Sequence, residues 1–177
     1  MHRRHLGFTL IELIITLAIT AILAGIAGPA MAGFIEHQRA SAAVASLTAH
    51  MQLARMAAVS RNHRAVLCPS NDGSTCVAGT DWSTGWMLFV DDDGNRRPDG
   101  NDDILRADLQ PTSQHLRIVS TTGRQQLRYL PDGSSAGSNL TVRLCRDDRL
   151  LGRVIVNNGG RVRSELASGS TPCMGGG

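Results

Sequence analysis

Residues 7–34 read GFTLIELIITLAITAILAGIAGPAMAGF, and no charged side chain occurs in the 22 residues from Leu13 to Phe34. A helix rises about 1.5 Å per residue, so a helix of this length spans roughly 33 Å, enough to cross a bilayer. Glu12 stands directly before this run. Because a carboxylate costs about 2.5–3.5 kcal/mol at the bilayer centre, Glu12 is expected either to meet a cation in the membrane or to extend to the interface.

The residues ahead of the apolar run form a short positive region, HRRH at 2–5, of the kind that opens a secretory signal. Two cleavage positions fit this arrangement. A cut at the small residues of 24–33 would remove the apolar helix, as in an ordinary signal peptide. A cut after Gly7 would keep the helix as a membrane anchor.

The apolar helix is expected to continue into a globular domain. Beyond residue 40, apolar side chains recur at spacings of three and four, which is typical of the buried stripe of an amphipathic helix. These residues are Val44, Leu47, Met51, Ala54 and Ala58. The sequence therefore predicts one helix from about Phe8 to Ser60, bent or softened near Pro29, with its second half packed on the domain.

The rest of the chain has the pattern of short β-strands. Turn signals such as PDG and NNGG separate these runs at hairpin length, which favours antiparallel strands over parallel βαβ units. The runs are residues 64–68, 85–91, 103–109, 116–122, 126–132, 140–146 and 152–157. Aromatic residues make up only 3% of the chain, which predicts an aliphatic core. The predicted fold class is α+β, with a long N-terminal helix packed on an antiparallel β-sheet domain.

The stretch GFTLIEL at 7–13 resembles the type III signal sequence of type IV pilins and type II secretion pseudopilins. The resemblance implies that a prepilin peptidase cuts between Gly7 and Phe8 and methylates the new amine of Phe8. It also implies that Glu12 pairs with the N-terminal amine of a neighbouring subunit during assembly, which would make a carboxylate in lipid tolerable.

The same resemblance implies a domain organisation. Residues 1–7 would be a removed leader, residues 8–34 the transmembrane part of the helix, and residues 35–177 a periplasmic or extracellular pilin-like globular domain. The expected location is the inner membrane, as a single-pass protein with a periplasmic C-terminal domain, and then a pilus on the cell surface. The expected partners are the prepilin peptidase and other pilins or pseudopilins, which are bound through the N-terminal helix.

The four cysteines permit three pairings, and disulfides are the default in an exported domain. The favoured pairs are Cys68–Cys76, which closes a short loop, and Cys145–Cys173, which ties the glycine-rich tail to a strand. The alternative is a zinc site that includes His63, although the spacing matches no usual ligand pattern.

The acidic loop DDDGNRRPDGNDD at 91–103 has oxygen-bearing side chains at alternate positions and a closing acid, Asp102, as a calcium loop would. The calcium template requires glycine at the sixth position, where this chain has Arg96. The preferred interpretation is a solvated loop in which Arg96 and Arg97 neutralise neighbouring aspartates. No metal and no cofactor are expected.

Arginine dominates the C-terminal third. All 18 basic residues of the chain are arginine, and from residue 117 onward nine arginines stand against four acidic residues. If Arg161 and Arg163 lie in a strand, the two-residue period places both on one face, and Gly160 would let a backbone come close. Arg153 on the partner strand and Arg149 nearby would join them.

Forked guanidinium groups suit a phosphate backbone. Aromatic residues are not interleaved with these arginines, which favours a duplex bound by charge over a single strand bound by stacking. The alternative is that the arginines form surface salt bridges with Asp147, Asp148 or Glu165, which contribute little energy.

The chain as a whole resembles the FimT group of minor pilins, which is related to the GspH pseudopilins. The resemblance rests on residues 85–106, GWMLFVDDDGN…DDILR, and on the Gly-Arg-x-Arg pattern of residues 160–163, which FimT proteins of natural-transformation systems use to hold DNA. It implies a minor type IV pilin that helps to assemble the pilus and binds extracellular double-stranded DNA non-specifically during natural transformation. The alternative is a purely structural minor pilin, or a GspH-like type II secretion pseudopilin, at the filament tip. No enzymatic activity is expected, because no nucleophile–base arrangement can be read.

Overall fold

The computed structural model describes residues 9–100, 103–109, 116–167, 169 and 171–173, without the side chains of 28–30 and 32. The chain divides into two compact units, and the boundary falls between Gln38 and Arg39. One helix begins in the first unit and ends in the second.

This helix, α1, spans Leu10–Arg61 and runs through residue 29 without a break. Thr9 caps its start, because the Thr9 hydroxyl accepts the main-chain NH of Glu12 at 3.3 Å. Asn62 ends it in the left-handed conformation, with φ of 56°. The predicted extent of the helix is therefore confirmed where it is described, whereas Phe8 lies outside the described residues and the bend near Pro29 stays a prediction.

Within the described residues, one segment is long and apolar enough to cross a membrane. Leu10–Ala27 has a mean hydropathy of 2.5, and none of it is buried. Its large apolar side chains face outward, as Leu10 and Ile26 show with 78% and 70% exposure. Such a surface in water would be strongly unfavourable, so this half of α1 needs a lipid or protein environment.

The second half of α1 buries the predicted apolar stripe. All five stripe residues are buried, and Leu47 and Met51 are completely so. They pack in one cluster with side chains of both sheets of the domain. The amphipathic pattern read from the sequence is confirmed.

In the part of the chain that the structure describes, eight strands form two four-stranded antiparallel sheets. The strands are β1 Arg64–Pro69, β2 Gly85–Asp91, β3 Ile104–Leu109, β4 Arg117–Ser120, β5 Leu127–Tyr129, β6 Leu140–Arg146, β7 Arg149–Val156 and β8 Val162–Leu166. The first sheet has the order β3-β2-β1-β5 and the second β4-β6-β7-β8. The predicted α+β class is confirmed.

Five of the seven predicted runs differ in extent from the strands; β4, for example, keeps four of the seven residues predicted at 116–122. Turns explain the differences at β5 and β7. β5 has only three residues, because the NH of Gly133 donates to the carbonyl of Leu130 at 2.8 Å and turns the chain. β7 starts at Arg149, three residues earlier than predicted, because a two-residue turn joins it to β6. Asp147 adopts φ of 50° in this turn.

The core is not purely aliphatic, which corrects the prediction from composition. The few aromatic residues are concentrated inside, where Trp82, Trp86, Tyr129 and Phe89 are all completely buried. A single buried tryptophan or tyrosine covers the area of several small aliphatic side chains, so a low aromatic content does not exclude an aromatic centre.

Both favoured cysteine pairings are present in the structure. Cys68 at β1 is bonded to Cys76, with 5.7 Å between their Cα atoms. Cys145 on β6 is bonded to Cys173 of the tail, with 5.8 Å between their Cα atoms. The second bond, together with Leu150, forms a small separate apolar cluster that holds the tail against the sheet.

Candidate nucleic-acid interface

The hairpin turn between β7 and β8 carries the predicted motif. Asn157 closes this turn, since its carbonyl accepts the NH of Gly160 at 2.9 Å and its Oδ1 accepts the NH of Arg161 at 2.8 Å. β8 begins at Val162, so Arg161 lies directly before the strand and Arg163 lies within it.

Gly160 is buried, and its φ of 79° is a conformation that favours glycine. A Cβ at this position would overlap the carbonyl oxygen of Gly133. The backbone that comes close to Gly160 is therefore the chain's own. Gly160 thus shapes the turn ahead of Arg161, and its place in the DNA-binding set stays a prediction.

Tyr129 and Arg55 hold this turn in place. The Tyr129 hydroxyl donates to the carbonyl of Gly160 at 3.3 Å, and burial raises the pKa of Tyr129 to about 12, so the hydroxyl keeps its proton. Arg55, on α1, donates from Nε to the carbonyl of Gly133 at 3.0 Å and from Nη2 to that of Gly159 at 3.4 Å. The sequence did not reveal the role of Arg55, because its partners lie 78 and 104 residues away.

The second sheet presents arginines on the face opposite to the helix. On β7 the even-numbered residues are buried, and Arg153 is exposed on the other face. In the strand register Arg143 of β6 stands opposite Arg153, and Arg163 of β8 stands opposite Ile155, one pleat along the same face. We call Arg143, Arg153 and Arg163 the arginine face.

One member of this face has an acidic partner. Glu165 stands opposite Arg153, and its Oε2 accepts both Nε and Nη2 of Arg153 at 2.7 Å. The two side chains remain 46% and 45% exposed, so the pair adds little stability. Arg153 therefore forms the salt bridge with Glu165 that the sequence analysis gave as the alternative to DNA binding.

Arg161 and Arg163 are both exposed, but they do not lie in one strand. Arg161 lines a groove of about 610 Å³ between the hairpin turn and α1, beside Arg55, Met56 and Val59. Arg163 belongs to the arginine face. The two guanidinium groups therefore flank the same turn from different sides of the sheet edge.

Arg149 begins β7, four residues before Arg153, so it lies about 13 Å along the strand at roughly 3.3 Å per residue. It is exposed and forms an isolated bridge with Pro172 of the tail. It therefore lies at the far end of the sheet from Arg161, and the structure does not bring it into the turn.

In the acidic loop, some of the described side-chain oxygens bond to the loop itself, whereas Asp92 pairs with His63 at 3.2 Å and the buried Oδ2 of Asp91 has no hydrogen-bond partner. The buried Asp91 accepts the NH of Arg96 at 3.1 Å, and Asp93 accepts the NH of Asn95 at 2.9 Å. Among the described residues no group of three or more His, Cys, Asp or Glu side chains is arranged to hold a metal ion. Asp102 lies outside the described residues, so the calcium alternative stays a hypothesis.

At the N-terminus, Gly7 and Phe8 lie outside the described residues, and Glu12 is exposed. Thr9 and Glu12 have the spacing of a capping box, and the bond from the Glu12 NH to the Thr9 hydroxyl is present. A carboxylate in the first helical turn also interacts favourably with the helix dipole. Thr9 and Glu12 therefore stabilise the start of α1, in addition to any role that Glu12 has in assembly.

Comparison with known proteins places this fold in the pilin class. The solved structures that resemble it include the type IV minor pilin FimU of Pseudomonas aeruginosa, with a TM-score of 0.59 and 19% identity over 80% of this chain and 97% of that one. The minor pseudopilin EpsH from the type II secretion system of Vibrio cholerae matches with a TM-score of 0.52 and 14% identity, over 72% of this chain and 97% of that one. Sequence comparison with curated proteins finds no significant match.

Comparison of the sequence with models of protein families assigns the chain to a family. The family described as type II transport protein GspH matches residues 43–160, two thirds of the chain, and the prokaryotic N-terminal methylation motif matches residues 2–28. The chain belongs to the GspH family. It is a minor pilin or pseudopilin, of the class that assembles with other pilins in a type IV pilus or a type II secretion system. The family match ends at residue 160, before Arg161 and Arg163.

Proposed function

We propose that this chain is a minor type IV pilin that binds double-stranded DNA non-specifically through its C-terminal arginines during natural transformation. In this proposal a prepilin peptidase cuts between Gly7 and Phe8 in the inner membrane, and the mature subunit joins the filament through α1. The DNA site consists of the arginine face together with Arg161.

The observation that carries the DNA proposal is the strand register of β6, β7 and β8. It brings Arg143, Arg153 and Arg163 onto one sheet face, although they are up to 20 residues apart in sequence. Arg161 adds a fourth guanidinium at the turn, and Glu165 removes one charge, which leaves a net of three positive charges. Arginine forks bind phosphate oxygens in pairs, so this face suits a polyphosphate backbone.

Binding by charge alone has a characteristic salt dependence. Neutralising about three phosphates predicts that log K falls with log salt with a slope of about −2.7, so binding should be weak at physiological salt. Contacts to phosphate groups carry no sequence information, so unrelated duplex sequences should bind equally.

The test uses the full-length chain in an uncharged detergent and the fluorescence anisotropy of two unrelated labelled duplexes. The Arg161→Gln/Arg163→Gln variant should bind at least about tenfold more weakly at low salt, and its slope should fall to about −0.9, since one phosphate contact remains of three. The control is Arg61→Gln/Arg106→Gln, which removes the same charge from exposed positions on α1 and β3. Equal weakening by both pairs would refute a localised site.

A structural role without DNA is the second candidate. It is favoured by the Arg153–Glu165 ion pair, which occupies one arginine, and by the end of the family match before Arg161. Under this candidate the wild-type chain shows no binding to either duplex at low salt, and the subunit acts only in the filament.

The assembly role depends on Glu12, and the capping arrangement offers a matched control. Glu12→Leu should leave the protein in the membrane but reduce its incorporation into sheared filaments, because the carboxylate that would pair with a neighbouring amine is gone. Thr9→Ala removes the cap but keeps that carboxylate, so incorporation should persist. Normal incorporation of Glu12→Leu would contradict the assembly role.

A further inference from the structure

A second cluster of arginines lines a pocket away from the arginine face. Arg96, Arg124 and Arg128 surround a cavity of about 410 Å³ beside β5 and the turn before it. All the residues that line this pocket are described, and none of them is acidic. Three guanidinium groups therefore share a concave surface with no carboxylate in its walls.

Arg124 forms the floor of this pocket and is only 8% exposed. Its Nη2 donates to the hydroxyl of Ser135 at 2.8 Å, and its two Nη atoms also donate to the carbonyls of Ala136 and Ser138. Burial, followed by repulsion from Arg128, lowers the pKa of Arg124. Hydroxyl and carbonyl dipoles satisfy its donors but bring no negative charge, so the hydrogen-bond partners of Arg124 do not neutralise its positive charge.

Arg128 lies on β5, and its Nε is buried without a hydrogen-bond partner. Buried donors are nearly always paired, so the unpaired Nε of a side chain that lines this pocket indicates a missing acceptor. Arg96 completes the wall from the acidic loop. Its NH is fixed by the buried Asp91 at 3.1 Å, and its φ of 66° is unusual for a residue other than glycine.

We propose that this pocket binds a phosphate group, with the Arg128 fork as its main donor and Arg96 closing over it. A phosphate carries close to two negative charges and several acceptor oxygens, which matches three guanidinium groups better than a single carboxylate does. The site is independent of the proposed DNA contact at the hairpin, because none of its residues lies on β6, β7 or β8. The phosphate group can come from a free anion or from the backbone of a bound duplex.

The test measures binding of inorganic pyrophosphate to the full-length chain in uncharged detergent at low salt, by calorimetry and by the shift in melting temperature. Arg128→Gln should weaken binding at least about tenfold, because it removes charged hydrogen bonds to the ligand. Arg163→Gln is the matched control, with the same loss of charge on the arginine face, and it should bind as the wild type does. Arg96→Gln, at an exposed position, tests the same pocket should Arg128→Gln fold poorly.

The outcomes separate the possible sources of the phosphate. If pyrophosphate binding is lost in Arg128→Gln while duplex binding is unchanged, the pocket serves a free phosphate compound. If both are lost in Arg128→Gln, the pocket holds the phosphate of a duplex. Absence of pyrophosphate binding by the wild type, or equal weakening by the Arg128 and Arg163 variants, would overturn the proposal.

Discussion

Alanine at Gly160 should destabilise the domain far more than alanine at its neighbour Gly159. At Gly160 the φ of 79° costs an L-residue about 1–2 kcal/mol. The added Cβ would also overlap the Gly133 carbonyl and lie 3.1 Å from Tyr129, and such overpacking costs about 1–3 kcal/mol more. The expected loss in the free energy of unfolding is therefore about 2–5 kcal/mol.

Gly159 provides the matched control. A Cβ there meets only the side chain of Asn157, at 3.6 Å, and its φ lies outside the left-handed region, so Gly159→Ala should change stability by less than about 1 kcal/mol in either direction. Urea unfolding followed by tryptophan fluorescence measures both variants, since Trp82 and Trp86 are completely buried. Equal stability of the two variants would refute the close packing described for the turn.

Three further predictions concern the domain. Met51→Ala should cost about 2–5 kcal/mol, whereas Met56→Ala, at a position with 62% exposure, should cost little in the same urea assay. Removing the Cys145–Cys173 disulfide, which spans 28 residues, should cost about 3.5 kcal/mol on the chain-entropy account, and a thermal melt that does not shift would contradict it. Burial lowers the pKa of His50 from 6.5, so the folded chain binds fewer protons than the unfolded chain. Stability should therefore fall as the pH drops below 6.5, and it should fall less in His50→Gln.

The main features of the fold were predictable because they repeat locally. The stripe of Leu47 and Met51 follows the helical period, and the strands follow turn signals that lie within a few residues of each other. The strand ends were less predictable, because they depend on single turn hydrogen bonds such as the one from Gly133 to Leu130. The aromatic centre was missed, because composition does not say where a few large side chains are placed.

For the candidate site too, local sequence patterns predicted some features, whereas others depend on contacts between distant residues. The two-residue period predicted a shared face for Arg161 and Arg163, but Arg161 lies before the strand, so this prediction was wrong. The expectation that Arg153 joins Arg163 agrees with the strand register. The pairing between strands places Arg143 on the same face as Arg153 and brings Glu165 close enough to neutralise Arg153. A local sequence pattern does not contain this pairing. The fixing of the turn by Arg55 depends on contacts across more than 70 residues, which no local pattern encodes.

We propose that this chain is a filament subunit that keeps its apolar helix after processing, and the mass of the mature chain is the sharpest test of this proposal. Intact mass spectrometry of the protein from the membrane of its native host should show a chain that begins at Phe8 and carries one added methyl group. A chain that still begins at Met1, or one that has lost the segment Leu10–Ala27, would contradict the account.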